Sequence, residues 1–499
     1  MLGETFNLNY SGTDLAVPLS LIRTLILELD DLVGANWQNS PLSRAVFHRA
    51  GREGENLSDR QTPDDQLRYY TSERVFRGLR QIAYDYASRL DKNIVLRLPS
   101  FPADPDTRFV EWLGAKGKFK VEISFELEAN ELKYDQQSSK FYSVITSIKD
   151  GTLTSNDLSK YLNLLLSYGD SWTAKLIADV YLSVVSEIET ALADALGITY
   201  ALQGDTGMAK LIWEKWLTAS AIDEARARYS LAMLQARHNP RALLDPVGAA
   251  ENLNRAWSRL KGLPITPQTT YESVFNRNGM ALLLFRQGKY AEAKAVLEAG
   301  IASLQGSGYA EKLHHTVLTS NLARVIASMG DFRKAEWLFR EAIAMDPLFA
   351  EYHQDLASFL SDMGRFEEAA EEARRTIEID PSMPEAYRLL GFILMQLGDP
   401  LRARDEYAKA ANIGDDMAVL DMLRASYEAD TPEWTIQFRD RVAQAQLDVK
   451  SRAEAELLLA QARSALDPSL DVYVELKHLQ TRFPNDELIG EALVLNKAE

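Results

Sequence analysis

Between Thr316 and Met417 the apolar positions recur in blocks of one length. Gly330, Gly364 and Gly398 fall 34 residues apart, and Pro347 and Pro381 keep the same interval. An apolar-small pair stands eight residues before each glycine, as Leu322-Ala323, Leu356-Ala357 and Leu390-Gly391. An alanine follows five residues after it (Ala335, Ala369, Ala403), and Phe339, Ala373 or Tyr407 comes four further on. Each block predicts two helices and a tight turn. The glycine supplies the left-handed residue that ends the first helix, and the proline after Asp346 or Asp380 stops the second. Small residues at the pair and after the turn let the two helices cross closely, because a larger side chain would hold the backbones apart. A single hairpin of this kind cannot bury its apolar face, so successive hairpins are expected to stack.

Elsewhere the pattern is different or weaker. Residues 1–150 lack the repeat and predict a small α+β module. Pro18 to Val33 reads as an apolar helix with Leu21, Ile22, Leu25, Leu29 and Leu32 on one face. Asn36 to Pro63 is polar and arginine-rich and reads as a long loop. Thr62-Pro63-Asp64-Asp65 then looks like a helix start, with a capping hydroxyl, and that helix should run to about Leu90. Asn93 to Leu98 is a short β-type run. The alternation of Phe119, Val121, Ile123, Phe125 and Leu127 with polar neighbours is the best strand signal in the chain. Hairpins resume in degraded form from Ser155. Gly169 and Gly204 are each followed five residues later by an alanine, Ala174 and Ala209, and Leu196-Gly197 with Trp213 completes the second block. A further hairpin begins near Tyr229, with its turn expanded over Arg237 to Pro246, and Pro264 to Pro267 marks a joint. The block Met280-Ala281, Gly288, Ala293 and Leu297 fits, but Gly288 and Gly330 are 42 residues apart. The surplus around Gly306 to Gly308 should form a loop or lengthen a helix. The expected division is therefore an amino-terminal module over 1–150, stacked hairpins over 151–430, and capping helices over 431–499.

The blocks from Thr316 to Met417 resemble the tetratricopeptide repeat family, whose 34-residue unit is a pair of antiparallel helices. The resemblance implies a mostly α fold, an α-solenoid of helical hairpins carrying the α+β module at its amino-terminal end. It also implies a scaffold for protein–protein interaction, binding a peptide or protein partner in a concave groove lined by the first helix of each unit. Carried onto this sequence, the inward positions are Asn278 and Leu282, then Ser320, Asn321 and Arg324, then Gln354, Asp355 and Ser358, then Arg388, Leu389 and Phe392. The family's carboxylate clamp for chaperone tails places lysines, asparagines and an arginine at such positions. Here no lysine occupies them, and Asp355 would repel a terminal carboxylate. Arg324 and Arg388 are expected either to neutralise Asp355 or to receive an acidic or amide-rich segment of a partner.

Composition narrows the chemistry. The net charge is −17 and the pI near 5.0, so nucleic-acid phosphates are repelled on average. There is no cysteine, which removes disulfides, thiolate catalysis and cysteine-metal sites together. Neither a GxxxxGK[ST] loop, a GxGxxG turn nor an HExxH pair occurs, so no nucleotide, metal or other cofactor is expected. The adjacent His314 and His315 point about 100° apart on a helix and cannot easily share a metal. Glu367-Glu368 and Glu371-Glu372 read as a solvated face, and Trp213, Trp216 and Tyr229 as core. In the amino-terminal module Arg68, Arg74, Arg77 and Arg80, with Tyr69 and Tyr70, form a basic aromatic helix. They suit either an acidic or anionic ligand or salt bridges to the acidic remainder. The first residues lack a basic segment followed by an apolar run, and no stretch is apolar for the roughly 18 residues a spanning helix needs. The cytoplasm is the expected compartment. The leading expectation is a non-enzymatic scaffold. A ligand-responsive regulatory or sensor protein, and an accessory subunit presenting a substrate to an enzyme, are the alternatives.

Overall fold

The computed structural model describes residues 5–9, 17–34, 68–90, 93–98, 102, 104–114, 119–123, 136–167, 169–217, 220–304 and 309–496. These pack as two compact units, Met1–Phe349 and Ala350–Glu499. The fold is mostly α, built of helical hairpins, with a small α+β module at the start of the first unit.

That module runs β1 (Thr5–Asn9), α1 (Ser20–Val33), α2 (Arg68–Arg89), β2 (Asn93–Leu98), α3 (Asp106–Gly114) and β3 (Phe119–Ile123). The three strands form one parallel sheet in the order β1-β2-β3, with Thr5 opposite Asn93 and Ile94 opposite Phe119. Parallel neighbours need crossover connections, and each connection contains described helices, α1 and α2 in the first and α3 in the second. Ile94, Leu96 and Leu98 pack with Leu21, Ile22, Leu25 and Leu29 of α1, Val75, Phe76 and Leu79 of α2, and Phe109 of α3. The apolar face of α1 stops at Leu29: Leu32, expected on that face, is 44% exposed, and Ile26 is buried instead. The expected loop over 36–63, the helix start at Thr62 and the alternating residues Phe125 and Leu127 lie outside the described residues.

A chain of buried polar contacts ties the module to the helices that follow. Leu19, which precedes α1, has φ 62° and offers no cap. Asp106 of α3 takes that role from a distance, its carboxylate accepting hydrogen bonds from the backbone N–H of Ile22 (3.2 Å) and Leu21 (3.4 Å). Arg23, one residue on, reaches Asp170 at 3.4 Å, and Asp170 accepts from the N–H of Thr173 at 3.1 Å, capping the helix that starts at Ser171 in the same unit. Ser72 of α2 meets Ser171 at 2.8 Å. Phe76 lies against Trp172 with ring centroids 6.1 Å apart. Burial pushes the Asp106 carboxyl up to about 7, against the pull of the two N–H donors and Arg23. Burial raises Asp170 as well.

The rest of the first unit is helical: α4 (Gln136–Lys149), α5 (Ser155–Ser167), α6 (Ser171–Val184), α7 (Thr190–Leu202), α8 (Thr206–Trp216), α9 (Ala221–Met233), α10 (Pro246–Leu260), α11 (Pro267–Arg286), α12 (Tyr290–Ser303), α13 (Tyr309–Ser328) and α14 (Phe332–Met345). Phe141, Val144 and Ile148 of α4 join the core of α5 to α9. The hairpin α7/α8 shows why its glycine is needed. A Cβ on Gly197 would stand 2.3 Å from the indole of Trp213, which is fully buried. The expanded turn after α9 is a π-helical turn over Leu234–His238 and a 3-10 turn over Arg241–Leu243. At the expected joint, Thr266 and Thr269 form a reciprocal cap on α11. The surplus of the long block is taken up largely in α13, whose 20 residues compare with 13 in the first helix of each of the next two hairpins. Residues 305–308, with Gly306 and Gly308, lie outside the described residues.

The second unit holds α15 (Ala350–Asp362), α16 (Phe366–Ile379), α17 (Pro384–Gln396), α18 (Pro400–Asn412), α19 (Met417–Glu428), the short α20 (Pro432–Gln437) and α21 (Arg439–Gln444), α22 (Val449–Leu466), α23 (Val472–Arg482) and α24 (Glu487–Leu495). Gly364 and Gly398 end their helices with φ 71° and 74°. Ala357, Ala369 and Ala373 are fully buried where α15 crosses α16. In α17/α18 the residue sizes are redistributed. Gly391 has no side chain, and a Cβ there would lie 2.7 Å from the ring of Tyr407. Asp380, buried between hairpins, folds the turn by accepting from the N–H of Ser382 at 3.0 Å and its hydroxyl at 2.6 Å. Leu457, Leu476, Leu479, Ile489 and Leu493 make a separate small core for α22 to α24.

Two measurements check this account. Ala369→Leu and Gly391→Ala each overpack a hairpin crossing and are expected to cost about 1–3 kcal/mol in denaturant unfolding; an unchanged midpoint for both would mean the crossings lie elsewhere. The Asp106 carboxyl, ordinarily near 3.8, binds its proton more tightly in the folded chain. Its contribution to stability is therefore fully present below about pH 4 and is lost as the pH rises towards and through about 7. The slope is at most about 1.4 kcal/mol per pH unit. Relative to Asp106→Asn, the wild type should lose stability between pH 5 and 7 and no more above pH 8, and a pH-independent difference would refute the assignment.

Candidate functional site

In the first unit the inward positions are closely bonded to one another. Asn278 of α11 is 6% exposed and accepts a hydrogen bond at 2.9 Å from the side-chain amide of Asn321 on α13. The two first helices of successive hairpins are thus joined by an amide pair at the positions where the sequence places groove residues. Ser320 is buried, Asn321 and Leu282 are half-buried, and Arg324, one turn further along α13, is exposed.

In the second unit Gln354, Asp355 and Ser358 of α15 are half-buried. The Oε1 atom of Gln354 is buried without a hydrogen-bond partner among the described residues. Arg388 of α17 is exposed, and its guanidinium donates to Asp415 at 3.0 Å. It also approaches Asp421 of α19 at 3.9 Å. Its acidic partners therefore sit on the following hairpin, not at Asp355. The pairing continues along the first helices: Arg424 reaches Asp421 at 3.0 Å and Glu454 of α22 at 2.6 Å. Burial raises the Asp421 carboxyl, against the two arginines, and the bond to Glu454 raises Arg424 further. One turn along α17 from Arg388, the ring of Phe392 is 47% exposed. The second unit thus offers a row of linked ion pairs, two arginines among three acids, with a half-exposed aromatic ring beside it. The repeat pattern points to Arg388 and Phe392 but not to Asp415, at the very end of the last clean block, nor to Asp421, Arg424 and Glu454, which lie beyond it.

The basic aromatic helix is α2. The backbone of Arg68, Tyr69 and Tyr70 opens it, and their side chains lie outside the described residues. Arg74, Arg77 and Arg80 are half-buried. Arg80 lies over the rings of Trp112 (4.9 Å) and Phe76 (5.8 Å), so its guanidinium helps seat α2 on α3. Glu73, on the same helix, pairs with Arg108 at 3.0 Å.

Other titratable groups have structural surroundings. His314 is buried against Tyr271 and Phe275, and desolvation pulls it down to about 4. His353 meets Glu372 at 2.7 Å across the α15/α16 hairpin, while Glu367, Glu368 and Glu371 face solvent. Trp213 and Trp216 are buried core. Among the described residues no three histidines or acids are placed to hold a metal ion, and no helix is long and apolar enough to cross a membrane.

Comparison with known proteins adds the following. The tetratricopeptide repeat profile matches residues 321–382 and 355–418. No curated protein matches the chain. Among solved structures, PilF of Pseudomonas aeruginosa is 18% identical, with 46% of this chain and 98% of that one covered and a TM-score of 0.35. The C-terminal part of a TPR repeat-containing protein from Cytophaga hutchinsonii is 14% identical, covering 49% and 94%, with a TM-score of 0.40. MamA from Desulfovibrio magneticus is 16% identical, covering 38% and 95%, with a TM-score of 0.28.

The amide pair gives a prediction. Asn321→Ala removes a donor from the buried Asn278 carbonyl and is expected to cost about 1–3 kcal/mol, read as a lower unfolding midpoint. A neutral outcome would show that the pair is not part of what holds α11 to α13.

Proposed function

We propose, from the membership of residues 321–418 in the tetratricopeptide repeat family, that this chain is a non-enzymatic scaffold that binds a protein or peptide partner. Repeats of this family are generally non-catalytic interaction modules, and the coarse function rests on that. The finer reading places recognition in the second unit, on the first helices α17 and α19. The observation that carries it is the half-exposed ring of Phe392 standing one turn from the ion-paired Arg388.

Exposed aromatic rings are expensive to leave in water and are enriched at recognition surfaces. The charges beside Phe392 are paired with one another, two arginines against three acids, so a partner docking there meets a slightly acidic surface. A partner carboxylate can exchange for Asp415 on Arg388, and a partner cation for Arg388 on Asp415. Such exchange sets register and specificity more than affinity.

The test is a double variant, Arg388→Gln with Phe392→Ala. Partner binding is expected to weaken at least tenfold, about 1.4 kcal/mol. Stability should change little, because the lost ion pair is exposed and worth about 0–1 kcal/mol. Unchanged binding with a lowered unfolding midpoint would assign both side chains to structure and move the recognition surface elsewhere.

A further inference from the structure

Away from the amide pair, α10, α11, α12 and the 261–266 connection enclose a pocket of about 920 Å³. Its walls are chiefly apolar, with Leu263, Val274 and Val296 among them, and Ile265, 94% exposed, stands at its rim. Sites for small organic molecules commonly measure about 300–1,000 Å³ and combine apolar walls with a few polar groups. The polar lining here includes hydroxyls of Thr266, Thr269 and Ser273, the exposed Lys261 and, set deeper, Arg277. The Arg277 guanidinium stacks on Trp257 at 5.1 Å from the ring centroid. Its Nε and Nη2 atoms are buried and have no hydrogen-bond partner among the described residues.

The arginines around it are treated differently. Arg226 holds Glu272 at 2.6 Å, and Arg228 and Arg259 share Glu224 at 2.8 and 2.7 Å. In a chain with 72 acidic residues against 55 basic ones, carboxylates are abundant, yet among the described residues none pairs with Arg277. Desolvation lowers the pKa of this guanidinium with nothing to oppose it. A buried cation without a counter-ion is costly, and a planar guanidinium fork matches a carboxylate in two parallel bonds. Such donors suit an anion, and the chiefly apolar walls suit one that carries a hydrocarbon body.

We infer that this pocket binds a small amphipathic carboxylate, its acid group on Arg277 and its hydrocarbon body against Leu263, Val274 and Val296. The inference is independent of partner binding in the second unit.

The experiment is isothermal titration of the full chain with decanoate, with decan-1-ol as the uncharged counterpart and a short peptide ending in leucine as a rival source of the same chemistry. Decanoate should bind saturably at one per chain and at least tenfold more tightly than decan-1-ol. Arg277→Met, which keeps an apolar stem, should abolish that preference. Ala299→Trp places a ring at the exposed mouth of the pocket and should weaken both ligands. If Arg277→Met does not fold, the decanoate preference in the wild type and the weakened binding of both ligands to Ala299→Trp decide the matter. Absence of saturable binding, equal affinity for acid and alcohol, or binding untouched by Ala299→Trp overturns the inference. Tighter, pocket-dependent binding of the peptide overturns it too, because the natural ligand would then be a chain terminus.

Discussion

The close crossing of the two helices within a hairpin is the constraint on which most of this structure depends. Each crossing has room for a fixed amount of side chain, and the residues on its two sides share that room. Gly197 faces Trp213 and Gly391 faces Tyr407, where a single added Cβ would collide with the ring. At α15/α16 the buried Ala357 and Ala373 divide the space evenly. Interiors are packed too densely to absorb an extra methylene without shifting backbone. The rule therefore fixes how each hairpin closes, and with it which face of the first helix remains for solvent or a partner.

The amino-terminal module obeys a different logic. Its sheet is small and its attachment is polar. The sequence Asp106, Arg23 and Asp170 passes from the start of α1 to the start of α6 through buried or nearly buried charges. Both acids serve as remote or local helix caps, which satisfies backbone N–H groups that burial would otherwise leave without partners. Such an arrangement holds two elements in one geometry at some cost in desolvation.

The hairpins were legible because their signal is local: glycine, alanine and proline at a fixed interval need no knowledge of the third dimension. The strands β2 and β3 were legible for the same reason. β1 was not, since Thr5–Asn9 is short and its pairing partner, Asn93–Leu98, is far along the chain. Asp106 as the cap of α1 was equally hidden, because the two are 84 residues apart. At the candidate site, Arg388 and Phe392 follow from the repeat, whereas Asp415 sits in the turn that closes the last block and Asp421 lies after the register fades. The pocket around Arg277 depends on three helices and a connection meeting, and only the structure brings Trp257 under the guanidinium.

The account assigns recognition to the first helices of the second unit and a solvated role to the acidic second helices. A photo-crosslinking amino acid placed at position 392 on α17, and in a separate variant at position 371 on α16, distinguishes these faces directly once the partner is in hand. The account predicts a covalent adduct with the partner from position 392 and none from position 371. Adducts from position 371 alone would contradict it and would place the partner on the outer helices.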